Sequence, residues 1–211
     1  MIKNNNQPIV TEEEGLRLVK IARLTVECYL NKRQMMFINA NDDVAQRAGV
    51  FVTLFTRNQL GELQLRGCIG NPFPSSSSII DSLKIISIKA ATEDPRFPPI
   101  TSNELQGIII EVSILTTPVL LDKCRNFQEK ILIGRHGLII ESDFGSGLLL
   151  PQVAVEQEWN TIQFLENVCL KAGLDKQSWL APGVRLYTFE TLIFRERTPS
   201  GDIIPVGPHD E

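Results

Sequence analysis

The feature that most constrains this chain is a pair of strand-like segments joined by a short turn. Val50–Thr56 is rich in β-branched and aromatic residues, which favour strands. Leu63–Ile69 is its predicted hairpin partner, and residues 58–61 between them are typical of a turn. Because strands joined by so few residues run antiparallel, the sequence favours a largely antiparallel sheet over a doubly wound parallel one.

Helical patterns alternate with further strand patterns. Thr11 and Glu14 form a capping box, and apolar residues at helical spacing after it predict a helix over residues 12–32. The other predicted helices span 78–91 and 161–171, and the other predicted strands span 107–117, 132–142, 148–150 and 184–194. This mixture predicts an α+β fold with helices flanking the sheets, and a frayed tail after Thr198.

Composition argues against several classes of protein, although a local basic patch would not show in it. The 211 residues are 43% hydrophobic and 22% charged, as in an ordinary folded chain. The net charge of -4 lacks the basic excess that nucleic-acid binding usually needs. No apolar stretch approaches the roughly 20 residues that cross a bilayer, and residues 1–6 lack the apolar core of a signal peptide. We therefore expect a cytoplasmic protein with no membrane partner; a monomer and an oligomer both fit the sequence.

Cys68 is the first candidate site residue, in the run from Leu65 to Gly70. In a regular strand Arg66 and Cys68 share a face, and a guanidinium beside a thiol favours the nucleophilic thiolate. Gly67 and Gly70 have no side chain, so a ligand could approach the backbone there. The alternative is a small buried packing residue, because free cysteine is among the most buried residue types. Spacing alone favours the packing role.

Two other segments carry candidate residues. His136 lies between glycines, where it is either a general base or thiol partner, or a strand-edge residue with ordinary hydrogen bonds. Asp94 and Arg96 lie in a loop stiffened by three prolines, where they either rim a pocket or cap neighbouring elements. The cysteines at 28, 68, 124 and 169 form no CxxC pair, so no metal site is predicted. The chain also lacks the P-loop, GxGxxG, HExxH and GxSxG patterns.

Five segments taken together resemble the AMMECR-type domain family, prokaryotic branch. They are residues 65–70, 94–99, 134–137, 150–154 and 169–174, within a match that runs from about 12 to 195. The resemblance implies one α+β domain with a larger subdomain from both chain ends and a smaller one from the middle, leaving residues 1–11 and 198–211 as flexible ends. It also implies a cleft between the subdomains, with the run 65–70 (the signature motif) near it.

The resemblance brings no established activity and no known cofactor. Prokaryotic members are often fused or neighboured with Memo-type proteins and radical S-adenosylmethionine enzymes, which implies a shared modification pathway.

Three hypotheses follow. The first is an enzyme or enzyme subunit for a small-molecule or peptide substrate. In it Cys68 is the nucleophile or redox thiol, His136 is the base, and Arg66 holds the thiolate or binds an anion. Residues Gly67, Gly70, Asp94 and Arg96 would then help to bind the ligand. The second is a non-catalytic protein-binding or scaffold module. The third is RNA binding, which would need a basic face.

Overall fold

The computed structural model describes residues 10–32, 48–73, 78–123 and 125–207. The chain divides into two compact units, the first comprising Met1–Ile114 with Leu192–Pro205 and the second comprising Leu115–Thr191 with Val206–Glu211. The loop predicted at residues 39–43 and the cysteine at 124 lie outside the described residues.

The first unit is built on a five-stranded sheet with two helices. Its helices are α1 (Glu12–Leu30) and α2 (Ile79–Thr92), and its strands are β1 (Gly49–Arg57), β2 (Leu63–Asn71), β3 (Ile109–Leu115), β8 (Thr191–Glu196) and β9 (Ile203–Val206). The strand order is β2-β1-β3-β8-β9, so β2 lies at one edge. The β1–β2 pair is antiparallel, as the hairpin pattern predicts.

Both helices of this unit begin at a side-chain cap. In α1 the Thr11 hydroxyl accepts a hydrogen bond from the Glu14 N–H, and the Glu14 carboxylate accepts one from the Thr11 N–H, which confirms the capping box. In α2 the Ser78 hydroxyl accepts from the Asp81 N–H. Apolar faces of both helices share one core with the sheet, including Leu18, Val26, Val52, Leu83, Ile110 and Phe194.

A buried ion pair crosses the first unit. Arg23 of α1 donates from Nε to Glu196 Oε1 at 2.9 Å, and its Nη2 contacts the other carboxylate oxygen. The same Nη2 donates to the Ile108 carbonyl at 2.6 Å, and Glu196 accepts the N–H of Ile110 at 2.9 Å. Because the two charges neutralise and hydrogen-bond each other, both can lie in the interior.

The second unit is built on a four-stranded sheet. Its strands are β4 (Val119–Leu120), β5 (Gly137–Ser142), β6 (Gly145–Leu149) and β7 (Arg185–Phe189), in the order β4-β7-β5-β6 with every neighbouring pair antiparallel. Helices α3 (Pro151–Glu156) and α4 (Thr161–Lys171) belong to the same unit. Its core contains Leu138, Ile140, Phe164, Val168, Cys169, Trp179 and Leu186. The predicted α+β fold with largely antiparallel sheets is confirmed.

Some local predictions were wrong. The strand predicted over 184–194 is two strands in two sheets, β7 and β8. Residues 132–136 form a turn before β5 and not the start of that strand. The chain after Thr198, predicted to be frayed, forms strand β9 beside β8. Helix α3 was missed; it begins at Pro151, a residue whose fixed φ suits the first turn of a helix.

In the part of the chain that the structure describes, no helix is both long and apolar enough to cross a membrane.

Candidate functional site

Cys68 lies on the edge strand β2, directly opposite Thr53 of β1. The Thr53 hydroxyl donates a hydrogen bond to Cys68 Sγ at 3.4 Å. Cys68 is partly buried, and Thr53 is buried, with 8% of its surface exposed. Cross-strand pairing therefore places a hydroxyl donor against the sulfur.

Asp94 holds the backbone of the same strand. Its Oδ2 accepts the Cys68 N–H at 2.8 Å. An edge strand has outward backbone groups with no neighbouring strand to pair with, and this carboxylate supplies a partner for one of them. Asp94 lies just after α2, so the end of the helix and the proline-rich loop bring the carboxylate to the strand.

Arg96 neutralises that carboxylate. Its Nε donates to Asp94 Oδ1 at 3.0 Å, its Nη2 donates to Oδ2 at 2.7 Å, and its backbone N–H donates to Oδ1 at 3.1 Å. The hydrogen bonds from the Arg96 side chain hold the pKa of the buried Asp94 carboxyl well below its usual range. The pair also raises the pKa of the Arg96 guanidinium. Asp94 is buried, but 52% of the Arg96 side chain is exposed.

The surroundings keep the thiol protonated. Burial is the largest influence and raises the pKa of Cys68 above its usual value, and the charges of Glu111 and Asp94 raise it further. The hydrogen bond from Thr53 and the positive charge of Arg96 act in the opposite direction but do not outweigh burial. The sequence predicted a thiolate favoured by Arg66. The structure instead has a thiol with a raised pKa, and the arginine acting on it is Arg96.

Arg66 has another role because the strand is irregular beside it. Leu54 pairs with Gly67 and Phe55 pairs with Leu65, so Arg66 is the extra residue of a β-bulge. The rule that alternate residues share a face therefore fails at this point.

The Arg66 side chain links the edge strand to the segment after α2 through hydrogen bonds. Its Nε and Nη2 donate to Glu104 Oε1 at 3.1 and 2.9 Å, and its Nη1 donates to the Pro98 carbonyl at 2.9 Å. The centroid of the Phe97 ring lies 5.9 Å from the guanidinium carbon of Arg66 and 5.5 Å from that of Arg96, within the range of cation–π contacts.

The two glycines of the signature motif lie in close contact with other parts of the first unit. A Cβ at Gly67 would collide with the Ala90 carbonyl of α2, and a Cβ at Gly70 would collide with the Phe51 ring. The space that a side chain would take at these two positions is therefore occupied by a helix carbonyl and an aromatic ring, and the predicted role of the two glycines in ligand binding stays a prediction. These two glycines serve packing.

His136 belongs to the second unit and is held by local backbone. Its Nδ1 accepts the Leu132 N–H at 3.2 Å, and a hydrogen bond to the backbone of Lys130 also involves the ring. Burial lowers the pKa of His136, so the ring is neutral at pH 7. A lone pair already used by an N–H does not suit a general base, and the pairing of His136 with Cys68 stays a prediction.

Thr53 and the buried pair Glu111–Arg195 were missed by the sequence reasoning. Arg195 Nη1 lies 3.4 Å from Glu111 Oε2, and Glu111 is only 6% exposed. A signal was present, because Glu111 is a carboxylate within the otherwise strongly apolar strand β3. Thr53 gave a weaker signal as a hydroxyl between the core residues Val52 and Leu54.

Over residues 10–32, 48–73, 78–123 and 125–207, no group of three or more His, Cys, Asp or Glu residues could hold a metal ion.

The fold and the site define an α+β protein of two compact units that carries a polar thiol site on an edge strand; the thiol site comprises Thr53, Cys68, Asp94 and Arg96. The chain belongs to the AMMECR1 family, whose model matches residues 19–194. It is 45% identical over 198 residues to Protein MJ0810 of Methanocaldococcus jannaschii, covering 93% of this chain and 96% of that protein.

Further similarities agree with this assignment. Protein MK0488 of Methanopyrus kandleri is 42% identical over 198 residues, covering 92% of this chain and 94% of that protein. The crystal structure of an uncharacterized protein, PH0010 from Pyrococcus horikoshii, matches with a TM-score of 0.86 and 37% identity. That match covers 95% of this chain and all of the other.

Proposed function

We propose that this protein is an enzyme or an enzyme subunit whose reacting group is the thiol of Cys68. The observation that carries the proposal is the polar setting of this thiol. Cys169, a packing cysteine, is fully buried in the apolar core of the second unit. Cys68 is only partly buried and lies among the Thr53 hydroxyl, the Asp94 carboxylate and the Arg96 guanidinium. A cysteine that serves packing alone needs none of these groups.

The protonation state favours one role for the thiol. The Thr53 O–H points its hydrogen at Sγ, so the S–H hydrogen remains available to a substrate. A nucleophilic role would require a base, but Asp94 and Glu111, the carboxylates whose charges reach the thiol, are each paired with an arginine. We therefore propose that Cys68 enters the reaction protonated, as a proton or hydrogen-bond donor.

A specific observation favours a second candidate, a non-catalytic binding or scaffold module. Arg66, Gly67 and Gly70 each serve the packing of the first unit. Most of the signature motif is thus explained without thiol chemistry.

The two candidates differ in what they require of the sulfur. In a host that carries a gene of this family, the gene is replaced by one encoding Cys68→Ala or Cys68→Ser, with Cys28→Ser as the matched control. The metabolite profile of each strain is compared with those of the wild type and of a deletion strain. The enzyme proposal expects Cys68→Ala, at normal protein level, to reproduce the changes of the deletion, and Cys68→Ser, which keeps a hydrogen-bond donor, to reproduce them fully or in part. Profiles like the wild type would refute it and support the module.

The cellular location and the pathway of the protein are proposed from the family resemblance and the composition. We propose that the protein acts in the cytoplasm in a modification pathway shared with Memo-type proteins and radical S-adenosylmethionine enzymes. Affinity purification of the tagged chain from its own host tests this, with an unrelated tagged protein of similar size as control. Recovery of neither class above the control would contradict the link.

A further inference from the structure

The guanidinium of Arg96 is oriented before any ligand binds. Asp94 takes its Nε and one N–H of Nη2, the Phe97 ring lies 5.5 Å away, and Pro95 and Pro98 stiffen the loop. Arginine has five N–H donors, so the ion pair with Asp94 and a hydrogen bond to the Cys68 side chain leave further donors on this guanidinium. Half of the side chain is exposed. A cation fixed in this way loses little conformational entropy when it binds a ligand.

Three carboxylates of the first unit, at Asp94, Glu104 and Glu111, are each paired with an arginine. Asp94 is paired with Arg96 itself, and Glu111 lies 3.4 Å from the Nη1 of Arg195. Glu104 lies 2.9 Å from the Nη2 of Arg66. The thiol of Cys68 is uncharged at neutral pH because burial raises its pKa. An incoming anion would therefore meet no uncompensated carboxylate from these groups.

We propose that the substrate carries an anionic oxygen group, a carboxylate or a phosphate, which the Arg96 guanidinium binds beside the Cys68 thiol. Planar N–H pairs of arginine match the oxygens of both groups. This inference rests on the proposed function, because it names the substrate class of the same site. It places the anionic group of the substrate next to the S–H group that is proposed to react.

The thiol itself reports on such binding. Iodoacetamide alkylates the thiolate, and an anion on Arg96 would both raise the Cys68 pKa and obstruct the sulfur. The alkylation rate of Cys68 is measured by peptide mass spectrometry above neutral pH, with inorganic phosphate or acetate added at constant ionic strength. We expect saturable slowing of about threefold or more with at least one anion. Phosphate acting alone would indicate a phosphoryl group, and acetate acting alone a carboxylate.

Two variants and two cysteines serve as controls. Arg96→Gln is expected to abolish the protection, and Arg96→Lys to keep only part of it, because an ammonium lacks the planar fork. Cys28 reports nonspecific effects of the salts, and Cys169, which is fully buried, reports unfolding. If Arg96→Gln does not fold, the partial protection in Arg96→Lys still decides the question.

The outcomes separate this inference from the proposed function. If Cys68 is alkylated but neither anion slows it, or if Cys28 slows equally, the anion site is refuted and the thiol proposal stands. If native Cys68 is not alkylated at any pH at which the protein stays folded, the sulfur is out of reach and the proposed function fails.

Discussion

Removing the Asp94 carboxylate tests how the thiol site is held together. In Asp94→Ala the Cys68 N–H and the Arg96 side chain lose their acceptor. We expect the free energy of unfolding to fall by about 3 kcal/mol. The Cys68 N–H accounts for about 2 kcal/mol of this, as a backbone donor left without a charged partner. Arg96 contributes about 1 kcal/mol, because half of its side chain reaches water and is screened there.

The same change should alter the thiol and the pH dependence. The charge of Asp94 raises the pKa of Cys68, and without it the opposing positive charge of Arg96 is countered by one carboxylate fewer. We expect Cys68 to be alkylated faster at neutral pH, because removing a negative charge lowers the pKa of the thiol. The folded-state pKa of Asp94 is depressed, so its contribution to stability is present above about pH 4 and is lost as the pH falls below this value.

Urea unfolding and alkylation of the folded protein measure the two effects separately. Asp94→Asn, which keeps the shape and one acceptor, should lie between the wild type and Asp94→Ala. Asp175→Asn, on an exposed residue, is the control. Alkylation of Cys169, which is buried in the core of the second unit, would reveal unfolding that extends beyond the first unit and its thiol site. A stability change within about 0.5 kcal/mol, with unchanged alkylation of Cys68, would refute the role assigned to this carboxylate.

Three further predictions follow from the fold. Glu196→Gln removes the buried counter-charge of Arg23 and leaves the more exposed Glu27, 4.0 Å from Nε, as a weaker partner. Urea unfolding should therefore show a loss of about 3–5 kcal/mol, and a loss below about 1 kcal/mol would be inconsistent with the buried ion pair. Gly67→Ala should lose about 2 kcal/mol through the clash with the Ala90 carbonyl, whereas Gly107→Ala, which has open space around its Cβ, should not. The lowered pKa of His136 means that stability falls as the pH drops below about 6.5, and His136→Asn, which keeps an acceptor for the turn, should remove that dependence; identical pH profiles would contradict it.

The elements that could be predicted are those whose signals are local. The capping box and the apolar spacing of α1 lie within the helix itself, and the β1–β2 hairpin is specified by its own turn. Helix α4 likewise ends before Gly173, which adopts a φ of +73° that favours glycine. In each case the physical cause and the sequence signal lie within a few residues of each other.

The errors in the fold have two causes. Residues 184–194 alternate as one strand would, yet β7 and β8 belong to different sheets, because their partners β5 and β3 lie far along the chain and no local pattern records them. The tail after Thr198 pairs beside β8 as β9, in which Ile203, Ile204 and Val206 are β-branched residues that favour strands. That local signal is short and follows a run of Pro, Ser, Gly and Asp residues typical of a turn.

In the candidate site, too, the sequence showed single residues but not the contacts between them. It identified Cys68, Asp94 and Arg96 separately, but it could not show that the Asp94 carboxylate binds both the strand and the Arg96 side chain. Nor could it show the β-bulge that turns Arg66 toward Glu104, because a bulge depends on the register between two strands. The error about the thiolate has two causes: this missing register, which assigned Arg66 to the face of Cys68, and burial, which raises the pKa of the thiol.

The structure also determines which substitutions can test function. A bulky residue at Gly67 would disturb the contact between β2 and α2, so loss of binding or activity there would not separate a functional motif from a structural one. Changes at Cys68, Thr53 and Arg96 are more informative. Thr53→Val keeps the shape and removes the hydrogen bond to Sγ, and Arg96 is half exposed. Within the signature motif the sulfur of Cys68 is therefore the group whose chemistry can be altered with the least effect on packing, and the decisive tests belong there.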